Sequence, residues 1–180
     1  MNRLTKITTR TGDQGKTGLA DGSRVNKDSL RIQVLGDIDE LNAALGLVKT
    51  YSPNSASIRL IAEVQQRLFD LGGELAVPEG TAITSDHVLW LEQQLEQING
   101  DLPVLKEFIL PGGEPASAHA HLARAICRRA ERSLWRLSRQ EPVNSESLIY
   151  LNRLSDLLFV LARALARQSS TTEQTWNRET

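Results

Sequence analysis

The chain has 180 residues, enough for one domain or at most two with a substantial hydrophobic core. Its 21 basic and 22 acidic residues give a net charge of −1, which excludes a globally cationic nucleic-acid binder. The single cysteine, Cys127, excludes an intrachain disulfide and a cysteine-rich zinc site. Because the sequence shows neither a signal-peptide core nor an apolar run near the roughly 20 residues of a membrane span, we expect a cytoplasmic protein without a membrane partner.

Residues 1–35 are predicted to form a Gly-rich segment ahead of the helices. Its glycines are spread among polar residues without a helical period, at Gly12, Gly15, Gly18 and Gly22. This pattern indicates an ordered loop or a short hairpin. The run from Gly15 to Thr17 imitates the end of a Walker A motif, but Arg10 stands where that motif needs glycine. The sequence therefore disfavours a P-loop NTPase and leaves open either a different backbone cradle for polyphosphate or an ordinary turn.

After Gly36, apolar residues recur at steps of three and four, which predicts amphipathic helices. The first helix is expected to begin there, with Asp39 and Glu40 in its first turn, where acidic side chains favour a helix N-terminus. The second is expected to end near Pro78. Its apolar stripe is the most regular in the first half of the chain: Ile61, Val64, Leu68, Leu71 and Leu75.

Three further helices are predicted, beginning at Ser85 or Asp86, near Pro115 and at Ser145. On the fourth helix the expected core stripe is Leu122, Ile126, Ala130, Leu134 and Leu137. On the fifth it is Leu148, Leu151, Leu154, Leu158, Leu161 and Leu165. Cys127 is expected to pack as a small residue between helices.

Five one-sided helices joined by short loops favour an all-α fold, a five-helix bundle. We expect a single domain over residues 1–180, with the bundle at 36–168 and a frayed polar tail at 169–180. The sequence has no Glu-x-x-His pair, so a di-iron centre of the ferritin type lacks its ligand set.

A second face of the fourth predicted helix concentrates polar side chains. Steps of three and four place the following residues on it: His121, Arg124, Arg128, Glu131 and Trp135. Arginine suits bidentate binding of phosphate or carboxylate, although a solvated helix face would explain the same pattern. On the last helix, Asn152 and Asp156 lie among apolar residues and could line a pocket.

Six segments in one order carry a resemblance to a known family. They read TRTGDQG at 9–15, RVNKD at 24–28, DELN at 39–42, FILPGG at 108–113, RRAER at 128–132 and YLNRLSD at 150–156. Together they resemble the ATP:cob(I)alamin adenosyltransferases of the propanediol-utilisation type. The resemblance implies a homotrimer of five-helix bundles with active sites between subunits. It also implies that cob(I)alamin attacks C5′ of ATP, with Mg²⁺ on the nucleotide, giving adenosylcobalamin and triphosphate.

The resemblance also implies roles for individual residues. ATP would be bound by Thr9, Arg10, Thr11, Gly12, Thr17, Lys27, Arg128, Glu131, Arg132 and Asn152. Arg128 and Asn152 would serve catalysis, and Asn152 would help to hold the nucleotide and its Mg²⁺. Phe108 would close over the lower face of the corrin and exclude the axial ligand from cobalt. Asp39 would pair with Arg124 across the subunit interface.

Two other hypotheses follow from the same residues. The protein could be an adenosylcobalamin- or ATP-binding carrier or sensor without significant turnover, and slow product release would indicate that role. It could instead bind nucleic acid through the arginine face, which would make binding steeply salt-dependent, but the net charge argues against it. The expected macromolecular partners of the enzyme are a cob(II)alamin reductase and an adenosylcobalamin-dependent enzyme, with no nucleic acid among them.

Overall fold

The computed structural model describes residue 8 and residues 10–77, 80–168 and 173–177. Within these ranges the chain forms a short antiparallel hairpin and five helices. The elements in chain order are β1 Lys16–Gly18, β2 Arg24–Asn26, α1 Leu30–Tyr51, α2 Ser55–Ala76, α3 Ser85–Gly100, α4 Pro115–Ser138 and α5 Ser145–Gln168. The predicted five-helix bundle is confirmed. In the described ranges no helix is both long enough and apolar enough to cross a membrane.

The helices pack around one shared hydrophobic core. α4 lies between α1 and α5, while α2 packs on α1 and α3 packs on α5. All the predicted stripe residues of α2 and α5 are buried, because these helices keep the three- and four-residue spacing throughout. On α4 the prediction for Leu122 is wrong, since that side chain is half exposed and the core contact comes from the neighbouring Ala123. Many buried residues of α4 are small, among them Ala120, Ala123 and Cys127, which favours close packing against α1 and α5.

The start of α1 differs from the sequence prediction. The helix begins at Leu30 with Ser29 as its N-cap, so Asp39 and Glu40 lie in its third turn rather than its first. The sequence prediction placed the start of α1 too late because Arg31 occupies a core position in the first turn, and a charged residue there interrupts the apolar period. Arg31 is buried, and its guanidinium donates hydrogen bonds to the Leu75 carbonyl at 2.7 Å and to Glu141 at 2.5 Å.

The Gly-rich segment was predicted to form an ordered loop or a short hairpin, and the structure shows a hairpin. Thr17 lies opposite Val25, and the turn between the strands places Gly22 at φ +87°, in the left-handed region that favours glycine. Asp21 accepts hydrogen bonds from the backbone and hydroxyl of Ser23 at 2.8 and 2.7 Å. A backbone hydrogen bond from Ala20 to Ala76 at 2.9 Å ties the hairpin to the end of α2.

The prediction of a frayed tail is wrong for residues 173–177. Thr175 pairs with Ile109, and the Trp176 amide donates to the Phe108 carbonyl at 2.7 Å. Glu173 accepts a 2.8 Å hydrogen bond from Arg163 of α5, which is 3% exposed. A buried guanidinium requires a nearby acceptor or counter-charge, and the tail supplies one. The segment therefore packs against the loop that carries Phe108.

Candidate functional site

The predicted nucleotide residues of α4 and α5 lie side by side. Asn152 donates from Nδ2 to Glu131 Oε1 at 3.2 Å, across the contact between the two helices. Arg128 and Arg132 are exposed on the same helix as Glu131, one turn or less away. This group therefore combines two cationic side chains, one carboxylate and one amide around the α4–α5 contact.

A groove of about 660 Å³ lies between α3, α4 and α5. Its charged lining residues are Arg124, Arg128, Asp156 and Arg163. The rest is mostly apolar and comes from Leu95, Leu102, Pro103, Val104, Leu105, Phe159 and Val160. This volume and this mixture of apolar walls with a few charged groups are typical of a site for an organic ligand. The prediction that Asn152 and Asp156 line a pocket is confirmed for Asp156, whereas Asn152 is not among the residues that line this groove.

Phe108 stands at a second opening, of about 550 Å³, which shares Leu105, Arg124 and Phe159 with the groove. Its side chain is 74% exposed, so it does not anchor the loop in the core. Its ring centroid lies 6.4 Å from that of Trp176 in the tail. An aromatic ring that is this exposed beside a groove can cover one face of a flat ligand at little cost to folding.

The N-terminal residues form a compact group of their own. Lys27 donates its backbone amide to the Gly15 carbonyl at 2.8 Å, and a Cβ on Gly12 would lie 3.0 Å from the Lys27 ammonium. Gly12 therefore allows the ammonium to lie directly against the backbone. Arg24 donates to the Thr11 carbonyl at 2.6 Å and fixes the start of the hairpin. Such a cationic, backbone-rich turn suits an anion.

Three other residues predicted to bind ATP belong to the N-terminal segment, and the structure gives fewer contacts for them. Arg10 has φ +58°, an uncommon conformation outside glycine, and Thr17 lies half-buried in β1. Thr9 lies outside the described residues. In the ranges that the structure describes, no hydrogen bond or ion pair joins Lys27 to Glu131 or Asn152. Among the described residues, the predicted ATP residues of one chain therefore form two groups with no hydrogen bond or ion pair from Lys27 to the second group.

Asp39 and Arg124 do not pair within the chain as described. Asp39 is exposed on α1, whereas the Arg124 Nε is buried and has no hydrogen-bond acceptor among the described residues. The Arg124 guanidinium lies 5.9 Å from the centroid of Phe159. A buried guanidinium nitrogen without an acceptor is costly, which makes Arg124 a candidate for a partner from outside the chain.

His121 lies beneath the same part of the groove. It is 5% exposed, its Nδ1 has no partner among the described residues, and its ring packs edge-on against Phe159 at 6.3 Å. Burial, together with the nearby Arg124, lowers the pKa of His121 below its ordinary 6.5. The imidazole is therefore neutral at pH 7.

This lowered pKa predicts a pH dependence of folding. As pH falls below 6.5, the unfolded chain takes up a proton at His121 before the folded chain does, so stability falls until the folded pKa is reached. The contribution to the slope is at most about 1.4 kcal/mol per pH unit. We expect His121→Leu to flatten the slope of urea-unfolding free energy between pH 7 and 5. Equal slopes in variant and wild type would contradict this assignment.

Cys127 behaves as the sequence predicts. Its side chain is fully buried and its Sγ donates to the Leu151 carbonyl at 3.3 Å. Burial raises the pKa of this thiol, so it remains protonated and is not a nucleophile.

Comparisons with known proteins identify the family. Residues 7–165 match the family described as Cobalamin adenosyltransferase. A cobalamin adenosyltransferase of Cupriavidus metallidurans is 51% identical over 99% of this chain and 97% of its own. The chain belongs to the cobalamin adenosyltransferase family. A corrinoid adenosyltransferase of Bacillus subtilis is 42% identical over 91% of this chain and 88% of its own.

Solved structures of this family share the fold. A variant PduO-type ATP:corrinoid adenosyltransferase from Lactobacillus reuteri, complexed with cobalamin and ATP, superimposes with a TM-score of 0.90. It is 34% identical, and the match covers 96% of this chain and 97% of that one. The helical bundle described above is therefore the architecture of a cobalamin adenosyltransferase.

The sequence reasoning assigned no role to four charged residues around the site of this adenosyltransferase. Arg153 donates to Asn152 Oδ1 at 3.0 Å and to Glu92 of α3 at 2.7 Å. Arg163 binds Glu173 of the tail and the Pro103 carbonyl at 2.8 Å each. Arg153 lies within the YLNRLSD segment, so the segment itself was the available signal, whereas nothing local marks Glu92 or Glu173.

The donor set fits a Mg²⁺ ion that arrives on the nucleotide. In the described part of the chain, no cluster of three or more carboxylate, histidine or cysteine side chains could hold a metal by itself. Mg²⁺ in nucleotide enzymes is commonly held by the phosphates, waters and one or two protein oxygens, which Glu131 and Asn152 could supply.

Proposed function

We propose that this protein transfers the 5′-deoxyadenosyl group of ATP to the cobalt of cob(I)alamin. The observation that carries the proposal is the family match over residues 7–165, to which the groove beside the exposed Phe108 adds a physical site. In the reaction the Co(I) electron pair forms a bond to C5′, and the bond from C5′ to the triphosphate oxygen breaks. Triphosphate leaves with that electron pair, so no proton transfer is needed.

The proposed role of the ATP-binding residues is electrostatic stabilisation of the triphosphate. Negative charge accumulates on the triphosphate as it leaves, and fixed cations lower the barrier by stabilising that charge. Lys27 and the backbone from Thr11 to Gly12 would bind the phosphates at one end, together with Arg10 and Thr17, and the resemblance assigns Thr9 to ATP as well. Arg128 and Arg132 would bind them from α4. Arginine stays charged throughout, so neither side chain acts as an acid or base.

Mg²⁺ bound to ATP would neutralise phosphate charge at this position. The residues of this chain nearest to it in the proposed arrangement are Glu131 and Asn152, which hydrogen bond to each other. Asn152 orients the nucleotide through its amide, and Glu131 keeps that amide in place. The ion itself would be held chiefly by the triphosphate.

Phe108 is proposed to cover the lower face of the corrin. Excluding the axial ligand makes Co(II) easier to reduce to the nucleophilic Co(I) state. Because the side chain is 74% exposed, truncation should change stability by no more than about 0.5 kcal/mol. Its contribution would therefore be visible in activity and not in folding.

We expect Phe108→Ala to lower kcat at least roughly tenfold while the Kd for ATP changes less than about twofold. The proportion of bound cob(II)alamin in the four-coordinate form, measured by electron paramagnetic resonance, should fall in parallel. Phe69→Ala is the matched control, because Phe69 is 69% exposed on α2 and does not line the groove. Unchanged kcat and coordination in Phe108→Ala would contradict the role.

The proposed assembly is a homotrimer in which each site lies between two chains. Two observations on the described residues support it: the predicted ATP residues of one chain form two groups, and the buried Arg124 Nε has no acceptor among them. A neighbouring chain would bring its N-terminal group to the α4–α5 group, and its Asp39 to Arg124.

This arrangement predicts the result of a charge swap. Asp39→Arg and Arg124→Asp should each weaken assembly by about two orders of magnitude in dissociation constant, because each leaves a partly buried charge against a like charge. The double variant should recover most of the loss. Sedimentation equilibrium measures all three, and single variants that assemble like wild type would contradict the pairing.

The test of the function is an anaerobic spectral assay with purified protein, MgATP and chemically reduced cob(I)alamin. Loss of the cob(I)alamin band with formation of a light-sensitive product would support transfer. In the cell a cob(II)alamin reductase would supply the reduced substrate, and an adenosylcobalamin-dependent enzyme would consume the product. Binding of both substrates without turnover would instead indicate a carrier or sensor.

A further inference from the structure

The hydrogen bonds that hold Asn152 extend to a third helix. Asn152 Oδ1 accepts from Arg153 Nη1 at 3.0 Å, and Asn152 Nδ2 donates to Glu131 Oε1 at 3.2 Å. Arg153 donates in turn from Nε to Glu92 Oε1 at 2.7 Å. Four side chains therefore form one continuous hydrogen-bonded row from α3 through α5 to α4.

This row determines which way the Asn152 amide points. A side-chain amide has an acceptor on one side and a donor on the other, and its shape alone permits either orientation. Arg153 has only donors, so it selects the carbonyl oxygen, and the amide nitrogen is left to face the Glu131 carboxylate. Arg153 is itself a long side chain, and Glu92 restricts where its guanidinium can lie.

The row contributes to orientation more than to folding. The side chains of Arg153 and Glu92 are 38% and 42% exposed, and ion pairs at that exposure add little to stability. A pair with little effect on folding, directly bonded to a residue of the proposed nucleotide site, should act mainly on that site.

We propose that Arg153 is a positioning residue for the nucleotide site and that Glu92 keeps it in place. Arg153 holds the Asn152 amide with Nδ2 on the side of Glu131, so Asn152 meets the nucleotide as a hydrogen-bond donor. This inference rests on the proposed function, which supplies the nucleotide.

A double-mutant cycle tests the proposal, with MgATP binding measured by titration calorimetry. Glu92→Gln in the otherwise wild-type protein should weaken MgATP binding about fivefold, and Arg153→Lys should do the same because lysine lacks the fork that reaches both partners. In the Asn152→Ala background, Glu92→Gln should have no further effect. Glu96→Gln, one turn along α3 at an exposed position, makes the same charge change and should leave binding unchanged.

The contrary results are distinct. Unchanged MgATP affinity in Glu92→Gln, or equal weakening with and without Asn152, would overturn the positioning role. If Glu92→Gln also lowered the melting temperature and the cobalamin affinity, the loss of MgATP binding would be a general structural effect, and the positioning role would be overturned. Failure of the wild-type protein to bind MgATP would instead contradict the proposed function. Because that result comes from the wild-type sample, it is distinguishable from an effect seen in the variants.

Discussion

Replacement of Arg128 by alanine is expected to lower kcat/KM for ATP by roughly two to three orders of magnitude. The Arg128 side chain lies in the groove and is exposed there, so its guanidinium is free of the core and available to a leaving triphosphate. Charge on the leaving group grows towards the transition state, and a fixed cation therefore stabilises the transition state more than bound ATP. The larger part of the loss should fall on kcat.

The matched control is Arg136→Ala, in the last turn of the same helix. It removes the same charge from an exposed position and should change kcat/KM by less than about twofold. Arg128→Lys separates charge from geometry, because it keeps the cation and loses bidentate binding, and it should give an intermediate rate. Steady-state assays under saturating cob(I)alamin measure all three variants. If Arg128→Ala kept a third or more of wild-type kcat/KM, the assigned role would be wrong.

Glu74→Ala is expected to lower the free energy of unfolding by about 3–4 kcal/mol. Glu74 is 6% exposed near the end of α2. Its Oε2 accepts from the amides of Ala82 and Ile83 at 2.6 and 3.0 Å and from Asn144 at 2.9 Å, while Oε1 accepts from Ser147 at 2.5 Å. Alanine would leave the buried Ile83 amide and Ser147 hydroxyl without this acceptor, would remove it from the less buried Ala82 and Asn144 donors, and would open space at the end of α2.

Two variants make this expectation specific. Glu74→Gln keeps the shape and one acceptor oxygen, so it should cost less, about 1–2 kcal/mol. Glu63→Ala removes an exposed carboxylate of the same helix that pairs with Arg67 at the surface, and it should cost about 0.5 kcal/mol or less. Urea unfolding at one fixed protomer concentration measures each. Equal losses for Glu74→Ala and Glu63→Ala would contradict the account.

The sequence predicted the helices where burial follows an unbroken period. The stripes of α2 and α5 are examples, because every predicted stripe position there is apolar and buried, although Glu74 and Arg163 are also buried on these helices. It placed the start of α1 too late because Arg31 is buried through hydrogen bonds to partners far along the chain, and such bonds leave no local pattern. The docked tail was missed because the contact of Glu173 with Arg163 joins an irregular segment to the preceding helix, and no helical or strand period reveals such a contact.

The candidate site, like the fold, could be predicted only in part from the sequence. Asn152 and Glu131 fall in recognisable segments, and the structure brings them into contact. The contact of Arg153 with Glu92 joins residues 61 positions apart, and no spacing rule reveals such a pair. For Lys27 and the α4–α5 residues, between which the described ranges show no hydrogen bond or ion pair, we propose another reason: in a trimer with sites between chains, a single chain would contain only halves of two sites.

The most direct measurement uses ATP labelled with carbon-13 at C5′, mixed anaerobically with cob(I)alamin and the purified protein. The account predicts that the label appears bonded to cobalt in light-sensitive adenosylcobalamin, with one triphosphate released for each product formed. Label that remains in ATP, or appears in ADP or AMP while cob(I)alamin is unchanged, would contradict adenosyl transfer.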